Sequence, residues 1–264
     1  MKDVTAELEG DVREQEPEES GKMSFLEHLD ELRRRLVRVI AYLAIGFAAC
    51  FYFSKEIYRF LEVPIKRALP AGTELAFTNP TDPFTLYMKV ALVAGIFLTI
   101  PLSLYEVWRF IAPALYRKEK RYVVPFMVSS VLLFLGGGAF CYYFVLYQAF
   151  YFLINWGSDF TPVIMIKEYL DLTLTMILGF GLVFEMPVVI AFLSLFGLVS
   201  AHFLWTKFKY AILLMVGLAA ILSPTGDALN LLIWTAPMVV LYVLSIGVAA
   251  LFGWQRRKKE RAAQ

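Results

Sequence analysis

The sequence predicts an all-α polytopic membrane protein, with six transmembrane helices in a kinked, open bundle and both termini in the cytoplasm. Three observations carry that prediction. Hydrophobic residues fill 59 % of the 264 positions, against about 45–50 % in a soluble domain. Six apolar stretches, at 36–56, 84–106, 124–148, 169–198, 209–223 and 229–252, are long enough or nearly so to cross about 30 Å of hydrocarbon as helices. Basic residues also segregate. With the termini inside, only Lys55, Arg59, Lys66, Arg67, Lys89 and Lys167 of the 25 Lys and Arg lie outside, which is the positive-inside pattern.

Along the chain, residues 1–22 hold eight carboxylates (Asp3, Glu7, Glu9, Asp11, Glu14, Glu16, Glu18, Glu19) and little that can pack, so a disordered acidic tail is expected. That tail lacks the basic n-region and small-residue cleavage site of a secretory signal, so the first span is expected to be retained. Residues 23–253 form the six-helix domain. Ser24 and Glu27 have the spacing of a capping box. Phe25, Leu29, Leu32, Leu36 and Val39 then recur every three or four residues, which predicts an amphipathic helix over 24–38 leading into the first span. The loop at about 57–83 carries Pro64, Pro70, Pro80 and Pro83 and is expected to cap the outer face with short helices. Pro101, Pro187, Pro237 and the triplet Gly136-Gly137-Gly138 read as breakers within spans, since proline frees a carbonyl and bends the axis. The fifth span is short and is joined to the sixth by Pro224 to Ala228, a tight pair that the membrane is expected to meet by local thinning. Arg256, Arg257, Lys258, Lys259 and Arg261 make 254–264 a basic cytoplasmic tail. Cys50 and Cys141 fall inside spans and read as small core residues.

Enzymatic chemistry is poorly supported. The chain has no His-Glu-x-x-His, no Gly-x-Ser-x-Gly, no glycine-rich phosphate loop and no paired intramembrane aspartates. Ser129, Ser130, Ser194 and Ser245 have no histidine at comparable depth. His28 lacks a second histidine or a cysteine partner, and His202 lies at a span end. No metal, cofactor or nucleic-acid partner is expected.

Three carboxylates stand out. Glu31 is spaced either for an i,i+4 pair with Arg35 or for a role at the membrane face. Glu119 sits among Arg109, Arg117, Lys118, Lys120 and Arg121. It either offsets those cations or joins Glu31 in holding guanidinium groups of an arriving peptide, because arginine forks pair bidentately with carboxylates. Glu185 is the acid set well inside a span, where a charge costs at least about 2.5–3.5 kcal/mol. It is either protonated and bonded to a neighbouring helix, or a polar contact for a partner helix. A proton relay would need a second intramembrane acid or histidine. A proton-coupled transporter of a small solute that uses Glu185 is the alternative function.

Four motifs resemble the TatC family, the polytopic subunit of the twin-arginine protein translocase. They are Phe25-Leu-Glu-His-Leu-Asp-Glu-Leu-Arg-Arg-Arg-Leu36, Phe110-Ile-Ala-Pro-Ala-Leu-Tyr-Arg-Lys-Glu-Lys-Arg121, Phe184-Glu-Met-Pro187 and Ser223-Pro-Thr-x-Asp227. The resemblance covers about 24–252. It implies a cup-shaped bundle in the bacterial inner membrane that receives folded cargo bearing an Arg-Arg signal peptide. It implies that Glu31 and Glu119 bind the arginine pair, that Arg33 matters to that site, and that Glu185 docks single-span TatA/TatB-type subunits. It further implies homo-oligomers within the receptor complex, contact with membrane lipid, and the proton-motive force as energy source. Two positions depart from the family pattern: Leu231 and Val243 are apolar where relatives often carry Gln and Glu. Asn230 points about 100° away from Leu231 on a helix.

Overall fold

In the computed structural model, which describes residues 25–70, 72–112, 120–157, 159–222 and 228–262, the predicted all-α polytopic fold is what the chain adopts. The helices are α1 (Phe25–Tyr52), α2 (Ser54–Leu61), α3 (Val63–Ala68), α4 (Asp82–Ile111), α5 (Val123–Phe140), α6 (Leu146–Trp156), α7 (Ile166–Val183), α8 (Met186–Leu195), α9 (Ala201–Thr206), α10 (Phe208–Leu222) and α11 (Ala228–Ala262). Among the described residues, five segments are long and apolar enough to cross a membrane: Leu26–Tyr52, Asp82–Ile111, Val123–Trp156, Ile166–Leu195 and Leu231–Leu251. The fifth predicted stretch forms α10, whose 15 residues extend about 22 Å, short of full hydrocarbon thickness. Ser24 and the acidic tail lie outside the described residues.

The prolines act unequally. Pro187 occupies the first turn of α8, where its missing N–H costs nothing but cannot continue the α7 ladder. The chain breaks at Phe184-Glu185, and the Glu185 carbonyl accepts the Val188 and Val189 N–H groups, each at 3.0 Å, to start α8. Pro101 and Pro237 instead lie inside continuous helices. The glycine triplet is not a breaker, which corrects the sequence-based expectation. Helix α5 runs through it to Phe140. Its function is close approach: a Cβ at Gly137 would lie 2.5 Å from the Phe180 carbonyl oxygen, so α5 and α7 touch backbone to backbone, as small residues permit in membrane helices. The irregularity comes later, as a π-helical segment at Cys141–Val145.

The proline-rich loop contains short helices, α2 and α3, as expected. The Tyr142 hydroxyl donates to the Phe60 carbonyl at 2.7 Å, and the Tyr169 hydroxyl to that of Leu61. Phe60 stacks on Tyr142 with centroids 4.2 Å apart. Ala76 exchanges two backbone hydrogen bonds with Ile164 and Ile166, at 3.0 and 2.8 Å. Lys89 pairs with Asp171 at 2.6 Å between α4 and α7. Trp234, Phe180 and Phe134 are fully buried at the centre, with Phe180 and Trp234 stacked at 5.1 Å. Cys50 and Cys141 are buried free thiols, as the sequence suggested.

Candidate functional site

The site starts from the crossing of α1 and α4. A Cβ at Gly46 would stand 2.5 Å from Thr99 Cγ2, and one at Gly95 2.9 Å from the Phe47 nitrogen. The antiparallel helices therefore meet at these glycines with almost no gap. Arg35 precedes Gly46 by the same eleven positions that separate Gly95 from Glu106. At about 1.5 Å per residue both lie some 16 Å from the crossing, three turns along, on the facing sides. Arg35 and Glu106 consequently meet at the arginine-rich end of the bundle.

Glu106 is only 3 % exposed, and a buried carboxylate is tolerated only when paired and hydrogen-bonded. Arg35 Nη1 donates to its Oε2 at 2.9 Å. Arg38 Nη1 approaches the same oxygen at 3.3 Å, and the Tyr42 hydroxyl lies 3.5 Å from Oε1. Arg35 reaches in a second direction. Its Nε donates to Glu31 Oε1 at 3.0 Å and its Nη2 to the same oxygen. The i,i+4 pair between Glu31 and Arg35 is thus present, but the guanidinium bridges two helices as well. Glu31 Oε2 is buried and accepts no hydrogen bond from a described residue. His28 Nδ1 stands 4.0 Å from that oxygen, on a ring stacked 4.3 Å from Phe110. A cavity of about 520 Å³ opens here, lined by Glu27, Glu31, Arg34, Arg35, Arg38 and Arg109.

The predicted site residues separate into distinct places. Glu31 faces this cavity. Arg33 is exposed and does not line it, because two residues along a helix turn a side chain about 200° away. Glu119 lies in 113–119, outside the described residues. Glu185 stands apart at the α7–α8 break, half-buried, with Oε1 lacking a described hydrogen-bond partner. Ser130 on α5 interacts with the Glu185 carboxyl and accepts the Trp108 indole N–H at 3.2 Å. Trp108 is packed between Phe126 and Phe192, at 5.5 and 5.3 Å. The end of α4 therefore turns Glu106 to α1 and Trp108 to α5 and α8. Of the departures from the family pattern, Leu231 packs against the core and Val243 is exposed. The described residues hold no cluster of three or more His, Cys, Asp or Glu placed for a metal.

Glu106 is a site residue that the sequence pattern does not single out, since it falls on the last residue of the predicted second span. The available signal is charge balance: Arg33, Arg34, Arg35 and Arg38 crowd one short segment with too few acids of its own.

The family model described as "Sec-independent protein translocase protein (TatC)" matches residues 27–237. The chain is 51 % identical over 245 residues to the Sec-independent protein translocase protein TatC of Koribacter versatilis (strain Ellin345), covering 92 % of this chain and 90 % of the relative. It is 36 % identical over 241 residues to the protein of that name from Aquifex aeolicus (strain VF5), covering 90 % and 98 %. A crystal structure of the twin-arginine translocase receptor TatC matches the fold with a TM-score of 0.78 at 36 % identity, over 86 % of this chain and 99 % of that one. The chain belongs to the TatC family of Sec-independent protein translocase proteins, and is a multi-pass membrane component of that translocase, not an enzyme.

Proposed function

We propose that the chain is the signal-peptide receptor of its translocase, working in a bacterial inner membrane with both termini in the cytoplasm. Glu31 and Glu119 take the two arginines of a twin-arginine signal peptide, with Arg33 meeting the peptide outside the Glu31 cavity. Folded cargo follows the signal, and the proton-motive force drives transport. Glu185 offers a polar contact to single-span TatA/TatB-type subunits, with further copies of the chain in the same complex.

The observation that supports this reading best is the unpaired oxygen of Glu31. Its Oε2 is buried and unpaired among the described residues, on a side chain that lines a cavity of about 520 Å³. An acceptor left in that state costs about 1–3 kcal/mol, which an arriving N–H donor recovers. A guanidinium supplies such a donor with charge, and charge-assisted bonds are roughly twice as strong as neutral ones.

The test is binding of a labelled Arg-Arg signal peptide to the purified protein in nanodiscs. Glu31→Ala and Glu119→Ala are each expected to weaken binding about tenfold or more, with expression and topology intact. Unchanged affinity in both single variants and the double rejects the assignment.

A further inference from the structure

We propose that Arg35 is a resident guanidinium that occupies Glu31 until a signal arginine displaces it, and that Glu106 is the seat retaining Arg35 during the exchange. The pair thereby sets the preference for arginine over lysine. This rests on the receptor reading of Glu31.

Three features of the geometry support an exchange. Arg35 divides its donors between two carboxylates: Nε and Nη2 go to Glu31 and Nη1 to Glu106. Letting go of Glu31 leaves the bond to Glu106 in place. The two carboxylates also differ in access. Glu31 lines the cavity beside Arg35, whereas Glu106 is 3 % exposed and does not line it. An incoming side chain reaches the first and not the second. Finally, both Arg35 bonds to Glu31 fall on Oε1, while Oε2 is buried and has no partner among the described residues. The newcomer takes the place of Arg35 on Oε1 and supplies the donor that Oε2 lacks, so the carboxylate gains a bond in the exchange.

Electrostatics explains why a seat is needed. The cavity lining carries Arg34, Arg35, Arg38 and Arg109 against Glu27 and Glu31. Arg34 is paired with Asp30 at 3.1 Å. A displaced Arg35 without Glu106 would be an extra cation in a surplus of cations, and would return to Glu31. With Glu106 beneath it, the exchange swaps one guanidinium for another at Glu31. Its free energy is then a difference between two pairings, of which the newcomer's has the added bond to Oε2. A lysine gains less, because an ammonium is a compact, strongly hydrated point charge without the planar fork. Discrimination built on a competitor depends on that difference, not on total affinity.

The experiment compares labelled Arg-Arg and Lys-Lys signal peptides on the wild type, Glu31→Ala, Arg35→Gln, Glu106→Gln and the double variant Arg35→Gln/Glu106→Gln, all in nanodiscs. Glu106→Gln is expected to lower Arg-Arg affinity about tenfold, since Arg35 then clings to Glu31. Arg35→Gln is expected to shrink the Arg-Arg to Lys-Lys affinity ratio by about tenfold, chiefly by admitting the Lys-Lys peptide. The double variant removes both charges and leaves no stranded partner within the pair, so it is readable even if a single variant is unstable. It is expected to regain the Arg-Arg affinity lost in Glu106→Gln while keeping the shrunken ratio. A double variant with the wild-type ratio overturns the exchange while Glu31-dependent binding stands. Arg-Arg binding indifferent to Glu31→Ala overturns the receptor reading and the exchange with it.

Discussion

Gly46 and Gly95 bring α1 and α4 into near backbone contact, and the Arg35–Glu106 ion pair lies three turns from that contact on both helices. Packing at the crossing therefore sets the register of the charged site. Gly95→Ala is expected to destabilise the protein by about 1–3 kcal/mol, the usual cost of overpacking. Alanine ordinarily gains about 1 kcal/mol over glycine inside a helix, so a net loss isolates the steric effect. Thermal unfolding in detergent measures it, and weaker Arg-Arg peptide binding is expected alongside. A raised melting temperature would show that the helices are not pinned here.

The glycine triplet of α5 offers an internal control. A Cβ at Gly136 would meet nothing within 4 Å, whereas one at Gly137 would lie 2.5 Å from the Phe180 carbonyl oxygen. Gly136→Ala is expected to be neutral or stabilising by up to about 1 kcal/mol. Gly137→Ala is expected to lose about 1–3 kcal/mol. Equal effects of the two substitutions in parallel melts would contradict the close α5–α7 contact.

Glu185 and Glu31 sit on different elements with different neighbours, so their variants are expected to have separate phenotypes. Glu185→Gln keeps the size of the side chain and its contact with Ser130. Arg-Arg peptide affinity is expected to stay within about twofold of wild type, because sites with no shared partners act nearly independently. Co-purification of the single-span subunits is expected to fall. Solute uptake that depends on Glu185 and ignores Glu31 would favour the transporter reading instead.

The Lys89–Asp171 pair ties α4 to α7, but its side chains are 42 % and 43 % exposed. A double-mutant cycle with alanine is expected to give a coupling of only about 0.2–1 kcal/mol despite the 2.6 Å contact. A coupling of several kcal/mol in denaturant titrations would mean that the pair is shielded from water.

The spans are legible in the sequence because apolar runs of about 20 residues have one dominant solution in lipid, and the short helices of the proline-rich loop because Pro64, Pro70, Pro80 and Pro83 forbid a long helix there. Glu31 is legible as one half of an i,i+4 pair, since that spacing is local. Its second link, through Arg35 to Glu106, is not. It depends on the register of two helices set by Gly46 and Gly95, and no local period records an interhelical register. The glycine triplet misleads for the same reason. In isolation Gly136, Gly137 and Gly138 weaken a helix, whereas beside Phe180 the missing side chain of Gly137 is what lets two backbones touch.

The most direct test of the central claim is a double-mutant cycle between Glu31 and the signal-peptide arginines. Wild type and Glu31→Ala are each titrated with the Arg-Arg peptide and with one carrying alanines at those two positions. Direct capture predicts a coupling of about 1.5–3 kcal/mol, the range for a hydrogen bond to a charged group. Additive effects, with coupling near zero, would mean that Glu31 does not receive the arginines.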